Sequence, residues 1–434
     1  MSITAKFGGT SLADSACVRR VESIIQSNPE RRFIVPSAPG KRSDDDKKIT
    51  DLLYAWHSLI VQGLDPAQPR TIVADRFREL AADLGIEFDI DHHVEIISAQ
   101  AIEYHNPDFM ASRGEYLNGL LIAELLGATF VDPAESIFMD EEGLLDPRTY
   151  EVLGDRLKSD GLFVVPGFYG SLPNGWVKTF SRGGSDVTGA IVARASGSRL
   201  YENWTDVSGF RMTDPRIIPG AKGIEEITYS ELRELSYMGA MVIHDEAIFP
   251  VRAVGIPINI RNTWEPEAAG TMILPEREAT TLICGIAARS GFTMISIDKT
   301  LMNKERGFGR RVLAVLEEHD VNFEHMPTGI DTMSVIIEDE EMANHGSSIL
   351  RAIERSCSPD GISLTHDLAL VATVGQGMAG RVGVAAKLFT ALAENSVNVR
   401  VIDQGSSENN IIVGVANEDM LAAVEAIYAA FADA

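Results

Sequence analysis

The last third of the chain repeats itself, and that repeat limits the fold more than any other feature. Sliding the sequence by 76 residues lays 293–298 on 369–374, Met302 on Met378 and Gly307 on Gly383. Asn322 then meets Asn398, Gly329 meets Gly405, and 335–337 meets 411–413, all without a gap. Each copy reads strand, glycine turn, amphipathic helix, strand, strand, helix within about 70 residues, the pattern of a ferredoxin-like βαββαβ unit.

The second copy contains Gly375-Gln376-Gly377-Met378-Ala379-Gly380 after a strand and before a helix, with Asp403 beyond the next strand. That spacing imitates a dinucleotide fingerprint. Only 54 residues follow Gly380, and the first copy lacks the glycine spacing. The repeat accounts for strand and helix without a nucleotide.

Residues 1 to about 275 differ. Apolar strand-like runs at 32–38, 161–165, 199–204 and 256–261 alternate with helical patterns at 14–26, 116–126 and 186–195. This alternation predicts an α/β sheet. The Gly-, Lys-, Arg-, Ser- and Asp-rich stretch 39–48 reads as a mobile loop or lid.

Within that half, Lys6-Phe7-Gly8-Gly9-Thr10-Ser11 joins a short strand to a helix read over 12–27. Paired glycines let backbone N–H groups approach a polyanion. A helix N-terminus adds partial positive charge and the lysine a full one. The motif is not a P-loop, and a plain tight turn is its bland alternative.

A formal charge of −25 over 434 residues excludes a basic nucleic-acid surface or docking on anionic lipid. Any anionic substrate must be held by local cations and backbone dipoles against the global field. Cys17, Cys284 and Cys357 are widely spaced, which argues for buried free thiols rather than zinc or disulfides. No run approaches the ~20 apolar residues of a spanning helix, so a cytoplasmic protein is expected, with no residue assigned to a metal.

A second glycine cluster, Ser181-Arg182-Gly183-Gly184-Ser185-Asp186, heads a helix. Arginine suits a carboxylate, while Asp186 fits either chemistry or a helix cap. Ala111-Ser112-Arg113-Gly114-Glu115 reads as a turn that places Glu115 near a helix start, either for a substrate ammonium or for the helix dipole. Ser37 and Thr50 suit a polar substrate or a turn. Val165-Pro166-Gly167-Phe168-Tyr169-Gly170 is another strand-end glycine turn. Thr205 and Asp206, followed by Asp214-Pro215-Arg216, suit a nucleotide or an Asx turn. His244 reads as structural.

Together these motifs resemble the aspartate kinases of the amino acid kinase family along essentially the whole chain. The resemblance implies an α/β fold: an amino acid kinase-type open sheet flanked by helices over residues 1–280, then ferredoxin-like ACT domains at 290–365 and 366–434. It implies phosphorylation of the side-chain carboxylate of L-aspartate by ATP with Mg²⁺. Lys6 would stabilise the migrating phosphoryl group and Asp186 would position Lys6. Gly8, Gly9, Thr10 and Ser11 would line the phosphates, with Thr205, Asp206 and Arg216 on the nucleotide. Ser37, Thr50, Glu115, Arg182, Gly183, Gly184 and Ser185 would hold the amino acid. The ACT pair implies a lysine or threonine effector near Met302, Phe308, Gly309, Asn322, Phe323 and Glu324, and a homodimer. Core packing is the alternative for Met302 and Phe308. Two departures stand out: Ser208 replaces an acid after W-T-D-V, and Met241 stands where many members carry a nucleotide-contacting lysine. A kinase for glutamate, a non-catalytic amino-acid sensor and an NAD enzyme are the rival readings.

Overall fold

The computed structural model describes residues 2–181, 183–239, 243 and 245–433. Two compact units divide the chain: residues 1–210, 223–229 and 242–277 form the first, and 211–222, 230–241 and 278–434 the second.

The first unit is built on an eight-stranded sheet. In chain order its strands are β1 (Ile3–Phe7), β2 (Arg31–Pro36), β3 (Thr129–Phe130), β4 (Phe163–Val164), β7 (Leu200–Thr205), β8 (Glu226–Thr228), β9 (Ile258–Asn262) and β10 (Thr271–Leu274). A separate hairpin holds β5 (Tyr169–Ser171) and β6 (Val177–Thr179). The sheet order is β3-β4-β2-β1-β7-β9-β10-β8, parallel except between β9 and β10. All five β1 residues are buried, as a central parallel strand requires. The chain leaves β1 towards β2 on one side and has β7 on the other, so the carboxyl ends of these strands form the crevice where open α/β sheets bind ligands.

The helices are α1 (Ser15–Gln26), α2 (Ile49–Val61), α3 (Ala67–Leu84), α4 (Ile90–Tyr104), α5 (Pro107–Leu126), α6 (Arg148–Arg156) and α7 (Gly184–Ala195). Phe7, Trp56, Phe77, Leu117 and Trp204 share one core between sheet and helices. Beneath β1, Glu202 is buried against Arg31, Nε to Oε2 at 2.7 Å, and accepts from Trp204 Nε1 at 2.9 Å.

Two sequence readings change here. Residues 111–115 lie inside α5, because Asn106 caps that helix and Pro107 opens it. Stretch 39–48 is fastened rather than loose. Buried Arg76 donates to Asp46 Oδ2 at 2.5 Å and to the carbonyls of Ala13 and Gly40 at 2.8 Å.

In the second unit a five-stranded sheet runs β12-β11-β13-β15-β14. Its strands are β11 (Gly285–Asp298), β12 (Thr332–Glu338), β13 (Gly361–Val374), β14 (Val401–Asp403) and β15 (Asn410–Ala416). The 14-residue strands β11 and β13 pair antiparallel along their length, with irregular register between Ser290 and Met294. Residues 292–298 pair with β12, whereas 368–374 pair with β15. The second repeat therefore completes its sheet with residues 285–290, which precede the first repeat. Gly375 and Gly377 leave room for the backbone at 281–284: a Cβ on Gly377 would sit 2.1 Å from Thr281 O. Close backbone packing explains the glycine spacing that imitated a dinucleotide fingerprint.

Candidate active site

Lys6 occupies the penultimate position of β1 and is 8% exposed. Its Nζ lies 2.6 Å from Asp186 Oδ1 and donates to Asn203 Oδ1 at 3.4 Å. Asn203 Nδ2 donates back to Asp186 Oδ1 at 2.9 Å. Lys6 and Asn203 are register partners on neighbouring parallel strands, so the backbone ladder sets their spacing. Asp186 stands in the first turn of α7 without capping it; Gly183, in the left-handed region at φ 55°, is the cap residue. Tyr201 Oη donates to the Asp186 carbonyl at 3.1 Å. The buried Lys6 side chain is thus held in place by one carboxylate and one amide.

The glycine turn differs in detail from its sequence reading. Asp14 already caps α1, accepting from Cys17 N–H at 2.8 Å, so that helix end is not free for a phosphate. A short 3₁₀ turn, Gly9–Leu12, follows Gly8 instead. Gly8 N–H donates to Trp204 O at 3.0 Å, which leaves closeness, rather than a donor, as its contribution. Ser11 Oγ is buried 2.7 Å from Thr263 Oγ1. Thr10 is exposed, and the N–H groups of Gly9 and Thr10 precede the first hydrogen bond of the turn. The loop after β2 covers the turn: Gly40 N–H donates to Gly9 O at 2.8 Å, and a Cβ on Gly40 would meet Gly9 backbone at 2.6 Å.

Ser37 follows β2, and its carbonyl accepts from Asn118 Nδ2 at 2.7 Å. Glu115 is buried on α5 beside Ala38, with Oε2 lacking a hydrogen-bond partner among the described residues. Burial pushes its carboxyl up to about 7. Neighbouring Gly114 leaves room for Ala38 and Ile49, whose side chains a Cβ would meet at 2.9 and 3.1 Å. Thr50 is half-buried in the first turn of α2. Gly167 lies against Ser185 and Gly184 against Phe168, so the turn after β4 packs on the start of α7.

Thr205 ends β7, and its Oγ1 donates to Asp206 Oδ1 at 3.2 Å, a turn arrangement. Arg216 belongs to the second unit and its guanidinium is taken up by Asp214, Nη2 to Oδ2 at 2.6 Å. Ser208 Oγ donates to Glu265 Oε2 at 2.6 Å and accepts from Asn262 Nδ2 at 2.8 Å. Arg182, Met241 and His244 lie outside the described residues.

The sequence profile of the amino acid kinase family matches residues 1–262, and that of the ACT domain matches 371–431. Aspartokinase 3 of Bacillus subtilis is 39% identical over 444 residues, covering 98% of each chain. The chain belongs to the amino acid kinase family, among the aspartokinases. The crystal structure of Clostridium acetobutylicum aspartate kinase is similar to it with a TM-score of 0.92 at 48% identity, covering 99% of both chains. Escherichia coli aspartokinase III matches over 99% of both chains in two forms. The complex with aspartate and ADP gives 26% identity and a TM-score of 0.76; the complex with lysine and aspartate gives 27% and 0.75.

This aspartokinase has a site residue that the sequence reading passed over, Asn203. Its signal was present: Glu202-Asn203 interrupts an apolar run in a central parallel strand, where polar side chains need a purpose. Of the residues assigned to an effector, Met302 and Phe308 are buried in the core of the first repeat. Gly309 lies beside Met333, and Asn322 and Phe323 are exposed. Glu324 Oε1 accepts from Arg289 Nη2 at 3.2 Å, while its buried Oε2 has no hydrogen-bond partner among the described residues.

Proposed function

We propose that this aspartokinase transfers the γ-phosphoryl of ATP to the side-chain carboxylate of L-aspartate in the corner framed by Lys6, Gly9 and Asp186. One observation carries the reading: a buried lysine at a strand end, fixed by Asp186 and Asn203, beside a glycine turn whose leading N–H groups precede its first hydrogen bond. No general base is needed, since the nucleophilic carboxylate is ionised at neutral pH. The chemical burden is to bring two anions together and absorb the charge of the migrating group.

Lys6 supplies a full positive charge without reorganisation, because Asp186 and Asn203 hold it before substrate arrives. Gly9 and Thr10 aim N–H groups at the phosphates, with Gly8 allowing close approach and Ser11 anchoring the turn. Thr205 and Asp206 face the nucleotide. Glu115 takes the aspartate ammonium, which explains a buried carboxylate with an unused oxygen. Ser37, Thr50, Gly183, Gly184, Ser185 and Arg182 complete the amino acid site. Asp186 Oδ2, without a partner among the described residues, fits Mg²⁺ together with phosphate oxygens, the usual ligand set for this ion. When bound, the ion neutralises phosphate charge.

Residues 1–280 form the catalytic domain in this reading, and 290–365 and 366–434 the ACT pair, with 285–290 lending a strand to the second. That pair takes an amino acid effector, lysine before threonine, with contacts from Gly309, Asn322, Phe323 and Glu324, in a cytoplasmic homodimer. The E. coli relative solved with lysine supports this choice. Among the described residues no helix is long and apolar enough to cross a membrane. ADP release with aspartate and with glutamate, each with added lysine or threonine, tests the assignment. Aspartate-dependent release depressed by lysine is expected; release with glutamate alone would overturn it.

A further inference from the structure

Arg113 lies two positions before Glu115 on α5, a spacing that directs the two side chains to different sides of the helix. It lines a cavity of about 490 Å³ bounded by α4, α5, the β5–β6 hairpin and the segment after β3. Arg113 is 5% exposed, and its Cζ lies 4.4 Å from the ring centroids of both Phe109 and Tyr116, and 5.3 Å from that of Tyr169. Nε donates to Phe109 O and Ser112 Oγ at 3.2 Å, and Nη2 to Ser112 Oγ at 2.9 Å. Nη1 has no partner, and no carboxylate pairs with Arg113, among the described residues. A buried cation without a counter-ion is costly, and an open cavity beside it is where one would enter.

The same cavity carries the opposite charge. Asp132 Oδ1 accepts from Ala134 N–H at 2.9 Å and Tyr169 Oη at 3.0 Å, while Oδ2 has no partner among the described residues. Ile97, Tyr104 and Trp176 supply apolar wall, and Trp176 is 50% exposed, unusual for so large a ring. The volume falls within the range of small-molecule sites.

We propose that this cavity binds a free amino acid with an aromatic or long apolar side chain. Its carboxylate pairs with Arg113, its ammonium with Asp132, and its side chain lies against Tyr104 and Trp176. Dicarboxylates and phosphates are disfavoured, because Asp132 and Glu135 share the lining. The site differs from both the catalytic corner and the repeat domains.

Calorimetric titration of the full chain with L-phenylalanine and with L-leucine, under saturating lysine to occupy any ACT site, tests this. One of the two is expected to saturate. Affinity should fall at least about tenfold in Arg113→Met and Asp132→Asn, since each removes a charged hydrogen bond. 3-Phenylpropionate and phenethylamine, each missing one charge, should bind more weakly than phenylalanine. Should Arg113→Met fail to fold, Asp132→Asn and Trp176→Ala carry the comparison. The proposal is overturned if neither amino acid saturates, if the variants bind as the parent does, or if phenylpropionate equals phenylalanine.

Discussion

Lys6 and Asp186 lie far apart in the amino acid kinase region of the sequence, yet their charged atoms stand 2.6 Å apart, and Asn203 bonds to both. The first turn of α7 delivers the carboxylate and the β1–β7 register delivers the amide. The lysine is therefore aimed before any ligand binds.

Replacing it isolates its role. Lys6→Ala should lower kcat by about 10³-fold or more, comparable with losing a main charge-stabilising group in phosphoryl transfer. Circular dichroism and the lysine or threonine response should be unchanged. Near-parental ADP release would remove Lys6 from the mechanism.

Asn203, bonded to both Lys6 and Asp186, is placed to act through Lys6 in the proposed mechanism. Asn203→Ala should reduce kcat about 10- to 100-fold through misplacement of the ammonium, with little change in aspartate KM. A rise in KM with kcat preserved would mean that Asn203 serves binding instead.

Much of this was readable beforehand because local chemistry sets it. The strand ends near Lys6 and Trp204 and the glycines at 8–9 and 183–184 lie in short windows, and the 76-residue repeat shows in a gapless self-comparison. What escaped depends on distant partners. Residues 39–48 look loose until Arg76 arrives from α3 to bind Asp46. Glu115 looks like a first-turn acid until the helix start at Pro107 places it in the interior. The two long strands that cross the repeat boundary are invisible to a comparison that assumes each copy is self-contained.

Glu115 should impose a pH dependence. Its carboxyl is raised from 4.5 to about 7, so the folded chain holds a proton that the unfolded chain has released between those values. Stability should fall as pH rises through that window and stay lower above it. Glu115→Gln should remove the slope, raising Tm relative to the parent at pH 8 but not at pH 4.5. Aspartate KM should fall as pH rises through about 7, where the ammonium gains its counter-charge. Thermal melts and KM across pH check both; a flat KM would exclude Glu115 from substrate binding.

Gly40 is held by close approach. A methyl there would meet Gly9 carbonyl atoms at 2.6 Å, with backbone on both sides. Gly40→Ala should cost about 1–3 kcal/mol in stability, in the range of overpacking, and raise the KM for ATP. Unchanged ATP kinetics would mean that the loop does not shape the phosphate corner.

Met302 tests whether an effector position is core. It is 5% exposed among Ile295, Val312 and Val335, so Met302→Ala should destabilise by about 2–5 kcal/mol. A loss of lysine response without destabilisation would assign it to the effector instead.

The most direct test is a crystal structure of the chain with a non-hydrolysable ATP analogue and aspartate. The account predicts the terminal phosphate within about 3 Å of Lys6 Nζ, against the N–H groups of Gly9 and Thr10. A terminal phosphate bound away from that corner, with Lys6 still paired only to Asp186 and Asn203, would contradict it.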